Sequence, residues 1–100
     1  MDVLIPDADR IIHEPVRLGV MALLYVVESA DFVFIRQQMN LTGGNLSAHI
    51  GKLESAGYLK VDKRFNNKRP QTLLSLTDEG RKGFKEYVEA MREFLSGIPL

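Results

Sequence analysis

The chain has 100 residues, of which 45% are hydrophobic and 26% charged, enough apolar material for one domain with a buried core. Thirteen Lys and Arg residues balance thirteen Asp and Glu residues, and a net charge of zero by itself argues against a nucleic-acid partner. The absence of cysteine excludes disulfides, thiolate metal sites and a cysteine nucleophile, and fits a cytoplasmic location. The longest apolar run, residues 18–27, is too short to span a membrane.

The first helix is predicted over residues 15–28, after an irregular segment at residues 1–14. Pro15 suits the first turn of a helix, where its missing N–H would have no partner. Apolar residues then follow at helical spacing and cover almost every face of the helix: Val16, Val20, Leu23, Leu24 and Val27, with Leu18, Met21, Ala22 and Tyr25. A helix that is apolar on most faces must be covered on most faces.

Two further helices separated by a tight turn are predicted next. Asp31 can cap a short helix over residues 32–39, and Thr42 can cap a longer one over residues 43–56. Gly57 follows the second of these, at a position where glycine is favoured because it tolerates a left-handed backbone.

After Gly57 the hydrophobic period changes from 3.6 to 2, which predicts strands at residues 58–65 and 71–76 around a basic tip at residues 66–70. Thr77 is predicted to cap a last helix that ends near Ser96. This order predicts one mainly α domain with a small β-hairpin wing (α+β), a winged helix-turn-helix. Residues 15–77 would form the helix-turn-helix and wing, and residues 1–14 and 78–100 a dimer interface.

Three segments of the chain resemble compact MarR-like and ArsR-like winged-helix transcriptional regulators. Residues 41–59 are similar to their recognition helix, residues 13–18 to their Pro-x-Arg-Leu start of the first helix, and residues 76–81 to their Leu-Thr-x-x-Gly-Arg junction after the wing. The resemblance implies a regulator that binds double-stranded DNA, with Lys68 or Arg69 of the wing entering the minor groove.

A helical wheel divides the third helix into two faces without reference to any family. Leu46, Ile50 and Leu53 face the core, whereas the opposite face carries small or polar side chains that would let the helix approach DNA closely. His49 lies near the edge of the apolar face and is predicted to be partly buried. The alternative is an ordinary hydrated face of poor helix propensity. The candidate DNA contacts in and before this helix are Thr42, Gly43, Gly44, Asn45, Ser47, Ala48 and Lys52.

The wing adds a cluster of four cations, Lys63, Arg64, Lys68 and Arg69, which could bind phosphates. The alternative is a basic loop that only interacts with water. Neither a catalytic set nor a metal site is predicted, because His13 and His49 are the only histidines and no further ligand pattern accompanies them. No cofactor is therefore expected, and no effector pocket is recognisable.

The last helix is predicted to form a homodimer. Its apolar residues step by four and three, as in a two-position heptad seam. The alternative is that the last helix packs on its own domain. A dimer is favoured because helix 1 and the N-terminal apolar residues also need a surface that covers them. The predicted interface comprises Leu4, Ile5, Ile11, Ile12, Phe84, Tyr87, Val88, Met91, Phe94, Leu95 and Ile98.

Division of the net charge of zero by segment indicates which side of the chain would face DNA. Residues 1–40 carry a net charge of −3, residues 41–70 of +4 and residues 71–100 of −1. Positive charge is thus concentrated on the predicted recognition helix and wing. The sequence predicts a homodimeric, sequence-specific DNA-binding regulator; the alternative is a winged-helix protein-interaction module without specific DNA binding.

Overall fold

The computed structural model describes residues 9–100 and confirms the winged helix-turn-helix. Four helices and the β-hairpin follow one another in the predicted order, and the helices end within two residues of their predicted ends. The elements are α1 (Pro15–Val26), β1 (Ala30–Asp31), α2 (Phe32–Gln38), α3 (Gly43–Ser55), β2 (Leu59–Asn66), β3 (Arg69–Leu76) and α4 (Asp78–Ser96). Strand β1 was not predicted. Within residues 9–100 no helix has the length and apolarity needed to cross a membrane.

The wing is a long antiparallel hairpin of β2 and β3, to which β1 adds a third strand on the β3 side. The register runs from Leu59 opposite Leu76 to Asn66 opposite Arg69, so only Asn67 and Lys68 form the turn. Both turn residues have a positive φ, of 52° and 65°. This is the backbone of a type I′ turn, whose twist matches that of the flanking strands.

Side-chain caps begin the helices where the sequence predicts them. Asp31 accepts from the backbone of α2, Thr42 from the Asn45 N–H and Thr77 from the Gly80 N–H. Glu14, which was not predicted as a cap, accepts from the Arg17 N–H at 2.7 Å and begins α1.

The core lies between α1, the inner face of α3 and the sheet, and it is almost entirely aliphatic. Because α3 contributes three buried side chains to it, the exposed face of α3 is held by the core behind it. The buried apolar residues are Ile12, Val20, Met21, Leu24, Ala30, Ile35, Leu46, Ile50, Leu53, Leu59, Leu74 and Tyr87.

A compact junction around Tyr58 fixes the wing relative to α3 and α4. The Tyr58 N–H donates to Leu53 O and the Gly57 N–H to Glu54 O, a Schellman motif with Gly57 at φ +82°. The Tyr58 carbonyl in turn accepts from the Thr77 N–H. A Cβ on Gly80 would lie 2.2 Å from that carbonyl, so only glycine lets α4 approach this closely.

Candidate nucleic-acid interface

The structure places the seven predicted DNA contacts of the recognition helix on one exposed surface. The residues opposite them on α3, Leu46, Ile50 and Leu53, are buried, as the wheel predicts. The exposed set is Thr42, Gly43, Gly44, Asn45, Ser47, Ala48 and Lys52. We call this set, together with Gly51, the reading face. Its side chains are short, apart from that of Lys52, so a molecule that binds this face can come close to the helix backbone.

The glycines of the reading face are not required by packing within the chain. A Cβ built on Gly43, Gly44 or Gly51 meets no other atom within 4 Å. Gly51 lies in the interior of α3, where glycine costs about 1 kcal/mol relative to alanine. The protein therefore keeps a destabilising residue at a position where its own fold has room for a side chain.

The N-terminus of α3 opens onto the same face. Thr42 Oγ1 accepts from the Asn45 N–H at 3.1 Å, so Thr42 is a capping residue. Gly43 and Gly44 lie in the first turn, where N–H groups have no intrahelical carbonyl to bond. Such a helix end can bind a phosphate through its N–H groups and its dipole.

A polar cluster ties α3 to α1 on the side away from the reading face. Arg17 is only 8% exposed, and its guanidinium donates to Ile11 O at 2.6 Å and to His49 Nδ1 at 3.0 Å. Because a guanidinium can only donate, His49 Nδ1 accepts. Glu14 Oε1 lies 3.6 Å from the same nitrogen. His49 is thus partly buried, as predicted, but its contacts with Arg17 and Glu14 were not.

The four basic residues predicted in the wing are all exposed, but they do not share one face. Side chains alternate along a strand, so Lys63 lies on the face that continues from the core and Arg64 on the opposite face. Arg64 donates to the Asp62 carboxylate beside it, and this hydrogen bond lowers the pKa of Asp62. Lys68 is in the turn and Arg69 begins β3.

A groove of about 320 Å³ separates the recognition helix from the wing. Gly51 and Ser47 form part of its α3 side, and Lys63 and Thr72 part of its wing side. Glu54 also lines it, and this carboxylate was not predicted to belong to the site. Lys63 and Glu54 are the charged side chains among the residues that line this groove.

The predicted dimer interface needs a correction at two positions. Ile12 and Tyr87 are buried in the core of their own chain, so neither has a side-chain surface to offer a partner. The apolar pattern indicated that these two side chains are buried, but not whether their own chain or a partner chain buries them. Leu4 and Ile5 lie outside the described residues. Ile11, Phe84, Val88 and Met91 pack partly against the core, whereas Leu95 and Ile98 are exposed.

Two tyrosines hold the segment before α1, and neither role was predicted. The Tyr58 hydroxyl donates to the Asp9 carboxylate, and Tyr87 Oη lies 2.7 Å from His13 Nδ1. The hydrogen bond to Asp9, together with burial, raises the pKa of Tyr58 to about 12. Burial also raises the pKa of Tyr87. Among residues 9–100 no three histidine, aspartate or glutamate side chains are grouped closely enough to hold a metal ion.

Known proteins resemble the chain over nearly its whole length. It is 37% identical over 89 residues to an uncharacterized protein of Methanocaldococcus jannaschii, covering 89% of this chain and 97% of that protein. A transcriptional regulator homologue from Pyrococcus horikoshii OT3 is 34% identical, with a TM-score of 0.88, covering 96% of this chain and 94% of that one. Reduced AbfR bound to DNA is 25% identical, with a TM-score of 0.66, covering 81% of this chain and 55% of AbfR.

The family match agrees with the geometry. Residues 16–95 match the winged helix DNA-binding domain family, so the match covers α1, the recognition helix, the wing and nearly all of α4. The resemblance to MarR-like regulators is also confirmed by the structural neighbours. The chain therefore belongs to the winged helix DNA-binding domain family and is a homologue of transcriptional regulators.

Proposed function

We propose that the chain is a cytoplasmic, homodimeric transcriptional regulator that binds a specific double-stranded DNA sequence. Helix α3 lies in the major groove, and the wing contacts phosphates or the adjoining minor groove. The observation that carries this proposal is the reading face, where glycines and short polar side chains line an exposed helix beside a basic hairpin. A helix enters the major groove, and short side chains let its backbone come close to the bases.

The distribution of charge supports the same orientation. Residues 41–70, which contain α3 and most of the wing, carry a net charge of +4, while the remaining residues carry −4. A chain with no net charge can therefore present a positive surface to DNA while the acidic remainder faces away. Lys52, Lys63, Lys68 and Arg69 are exposed cations of this segment, and within residues 9–100 none of them forms an ion pair like that of Arg64 with Asp62.

The two halves of α4 differ in a way that supports a dimer. The first half packs on its own domain through Phe84, Tyr87 and Val88. In the second half, Leu95 is exposed although it continues the same apolar seam, and Ile98, just beyond the end of the helix, is exposed as well. A second copy of the chain would cover this surface and place two recognition helices on half-sites about one turn of DNA apart.

A test of DNA binding starts with selection of duplexes from a random-sequence library by the purified protein, followed by fluorescence anisotropy at several salt concentrations. The double variant Lys68→Ala and Arg69→Ala should bind the selected duplex more weakly, with a salt slope smaller by up to about two units. The matched control, Lys82→Ala with Lys85→Ala, removes the same charge from α4 and should leave the slope unchanged. Selection of no common sequence, or equal slopes for both variants, would contradict the proposal.

The dimer is tested separately by sedimentation equilibrium without DNA. Leu95 is 51% exposed on α4, and Leu95→Glu should shift the protein from dimer to monomer, because a buried, unpaired carboxylate is costly at an apolar interface. Val33→Glu is the matched control, since Val33 is 50% exposed but lies on α2. If the wild-type protein sediments as a monomer at micromolar concentration, the proposed dimer is wrong. The proposed DNA binding would not be affected by this result, because the anisotropy experiment tests it separately.

A further inference from the structure

A largely exposed aromatic side chain lies near the end of the wing. Phe65 is 76% exposed, and its neighbours along β2, Arg64 and Asn66, are charged and polar. Pro70 lies directly opposite it on β3 and is also exposed. The hairpin therefore presents an apolar pair, Phe65 and Pro70, close to its turn. Nothing in the described part of the chain covers this pair.

The register fixes the side of the wing on which this pair lies. Residues opposite one another on antiparallel strands share a face, and the face changes with each residue. Phe65 and Pro70 therefore share the face of Lys63 and Thr72, which line the groove beside the recognition helix. They lie about 7 Å further out along the wing than Lys63. Arg64 and its carboxylate partner point to the other side.

The charges around the pair indicate what would cover it. Residues 63–77 include four cations and no carboxylate. A protein surface that buried Phe65 would have to accept this positive charge, whereas duplex DNA offers both phosphates for the cations and sugars and base edges for the ring. Because the pair lies on the side of the wing that faces the groove beside α3, a duplex bound to α3 would also lie near the pair.

From these observations we infer that Phe65, supported by Pro70, is an apolar wedge that enters the minor groove next to the major groove occupied by α3 and partly unstacks one base step. The inference rests on the proposed DNA binding and adds a specificity determinant to it. Apolar side chains inserted in this way kink the duplex, and pyrimidine–purine steps unstack most easily. The wing would then select for a flexible step such as TA without hydrogen bonding to a base.

The test uses the full-length protein and the duplex obtained by selection, with 2-aminopurine placed in turn at each position of the flanking minor groove. Wild-type protein should raise the fluorescence at one step, because unstacked 2-aminopurine is brighter, and should bend the duplex in an energy-transfer assay. Phe65→Ala should lose both signals. The affinity of Phe65→Ala for the duplex with TA at that step should be about tenfold below the wild-type affinity. It should then approach the affinity of the same variant for a duplex with GG at that step. Phe65→Leu, which keeps an apolar wedge, should retain most of the bend.

Val26→Ala is the matched control, because Val26 is 84% exposed but lies on α1. Thermal unfolding establishes that each variant is folded. If Phe65→Ala binds the selected duplex with the wild-type affinity, bend and step preference, the wedge is overturned while DNA binding stands. If the wild-type protein binds no duplex, the proposed function itself fails. Loss of binding to anionic phosphatidylglycerol vesicles in Phe65→Ala, with DNA binding unchanged, would also overturn the wedge, in favour of a membrane surface.

Discussion

The recognition helix and the wing each present an exposed surface, but they are held in place very differently. Helix α3 has a row of buried leucine and isoleucine side chains behind it, a Thr42 cap at its start and a Schellman motif at its end. The outer half of the wing, residues 63–70, is exposed throughout and is held only by the pairing of β2 with β3. One element is fixed by tertiary packing and the other by local hydrogen bonds.

This difference bears on how each element could meet DNA. A side chain that reads a base edge must be positioned accurately, which favours a helix supported by the core. A hairpin that extends beyond the core can adjust to the groove, because backbone segments with few buried contacts open and move most easily. We therefore expect changes behind α3 to alter stability, changes on its surface to alter affinity, and changes at the wing tip to alter stability only slightly.

Arg17→Ala is expected to have the largest effect, because it removes the polar support of α3. The substitution leaves His49 Nδ1 and the Ile11 carbonyl without their donor and opens a cavity in a position that is 8% exposed. The expected loss is about 2 to 4 kcal/mol in the free energy of unfolding, measured by urea denaturation.

Arg36→Ala is the matched control for this prediction. Arg36 is on α2, and its guanidinium donates only at 3.5 Å to Leu41 O, so the loss should stay below about 1 kcal/mol. Equal losses for the two variants would show that Arg17 does not support α3 in the way proposed.

The contacts of Arg17 also illustrate which parts of the structure were predictable from sequence. Helix order, the caps at Asp31, Thr42 and Thr77, and the period of the wing strands depend on neighbouring residues, and these were predicted. The pairing of Arg17 with His49 joins positions 32 residues apart, and two-residue β1 exists only because Ala30 pairs with Leu74. Neither leaves a local pattern in the sequence.

The same reasoning applies within the candidate site. The wheel of α3 predicted its exposed residues because one face of a helix is defined by spacing alone. Ile12 and Tyr87 were predicted at an interface because an apolar residue indicates burial without indicating the surface that buries it. The opposite orientations of Lys63 and Arg64 follow from strand alternation, which is visible in the sequence, whereas their shared charge alone predicts one basic cluster.

Substitution of Gly51 is expected to separate stability from affinity on the reading face. Gly51→Ala should raise the free energy of unfolding by about 0.5 to 1 kcal/mol, since a Cβ there meets no other atom and alanine is the better helix former. Affinity for the selected duplex should fall about tenfold, and further for Gly51→Leu, because the side chain keeps the helix from the groove. Anisotropy and urea denaturation measure the two quantities on the same samples.

The series of alanine and leucine at position 51 contains its own control. Stability should change little between the two variants because the position is open, while affinity should decrease with side-chain size. Affinity that is unchanged in Gly51→Leu would mean that this part of α3 does not approach DNA.

Raising the pH should weaken the contact by which Tyr58 holds the segment before α1. The Tyr58 hydroxyl donates to Asp9, and the pKa of Tyr58 is raised from 10.0 to about 12. A raised pKa in the folded state means that the stabilisation is fully present below pH 10 and is lost between pH 10 and 12, as the phenol ionises. Stability of wild type and of Tyr58→Phe, measured by urea denaturation at each pH, should therefore differ below pH 10 and converge above it.

Absorbance at 295 nm gives an independent measurement of the same phenol, and Asp9→Asn is its control. Removal of the carboxylate should lower the pKa of Tyr58 toward its ordinary value, because the main cause of the shift is the hydrogen bond to Asp9. A difference between wild type and Tyr58→Phe that persists unchanged to pH 12 would show that the hydrogen bond to Asp9 does not contribute to stability.

Lys68→Gly should have the smallest effect of these substitutions. It tests whether the lysine in the turn of the wing lowers the free energy of unfolding. Lys68 adopts a φ of 65° in the two-residue turn, a conformation that glycine adopts without strain. We expect the free energy of unfolding to rise by about 0.5 kcal/mol and the salt slope for DNA binding to fall by about one unit. Lys68→Ala removes the same charge but keeps a Cβ, so its slope should match that of Lys68→Gly without the gain in stability. If both variants keep the wild-type slope, the lysine contacts no phosphate, and its place in a strained turn has no explanation in DNA binding.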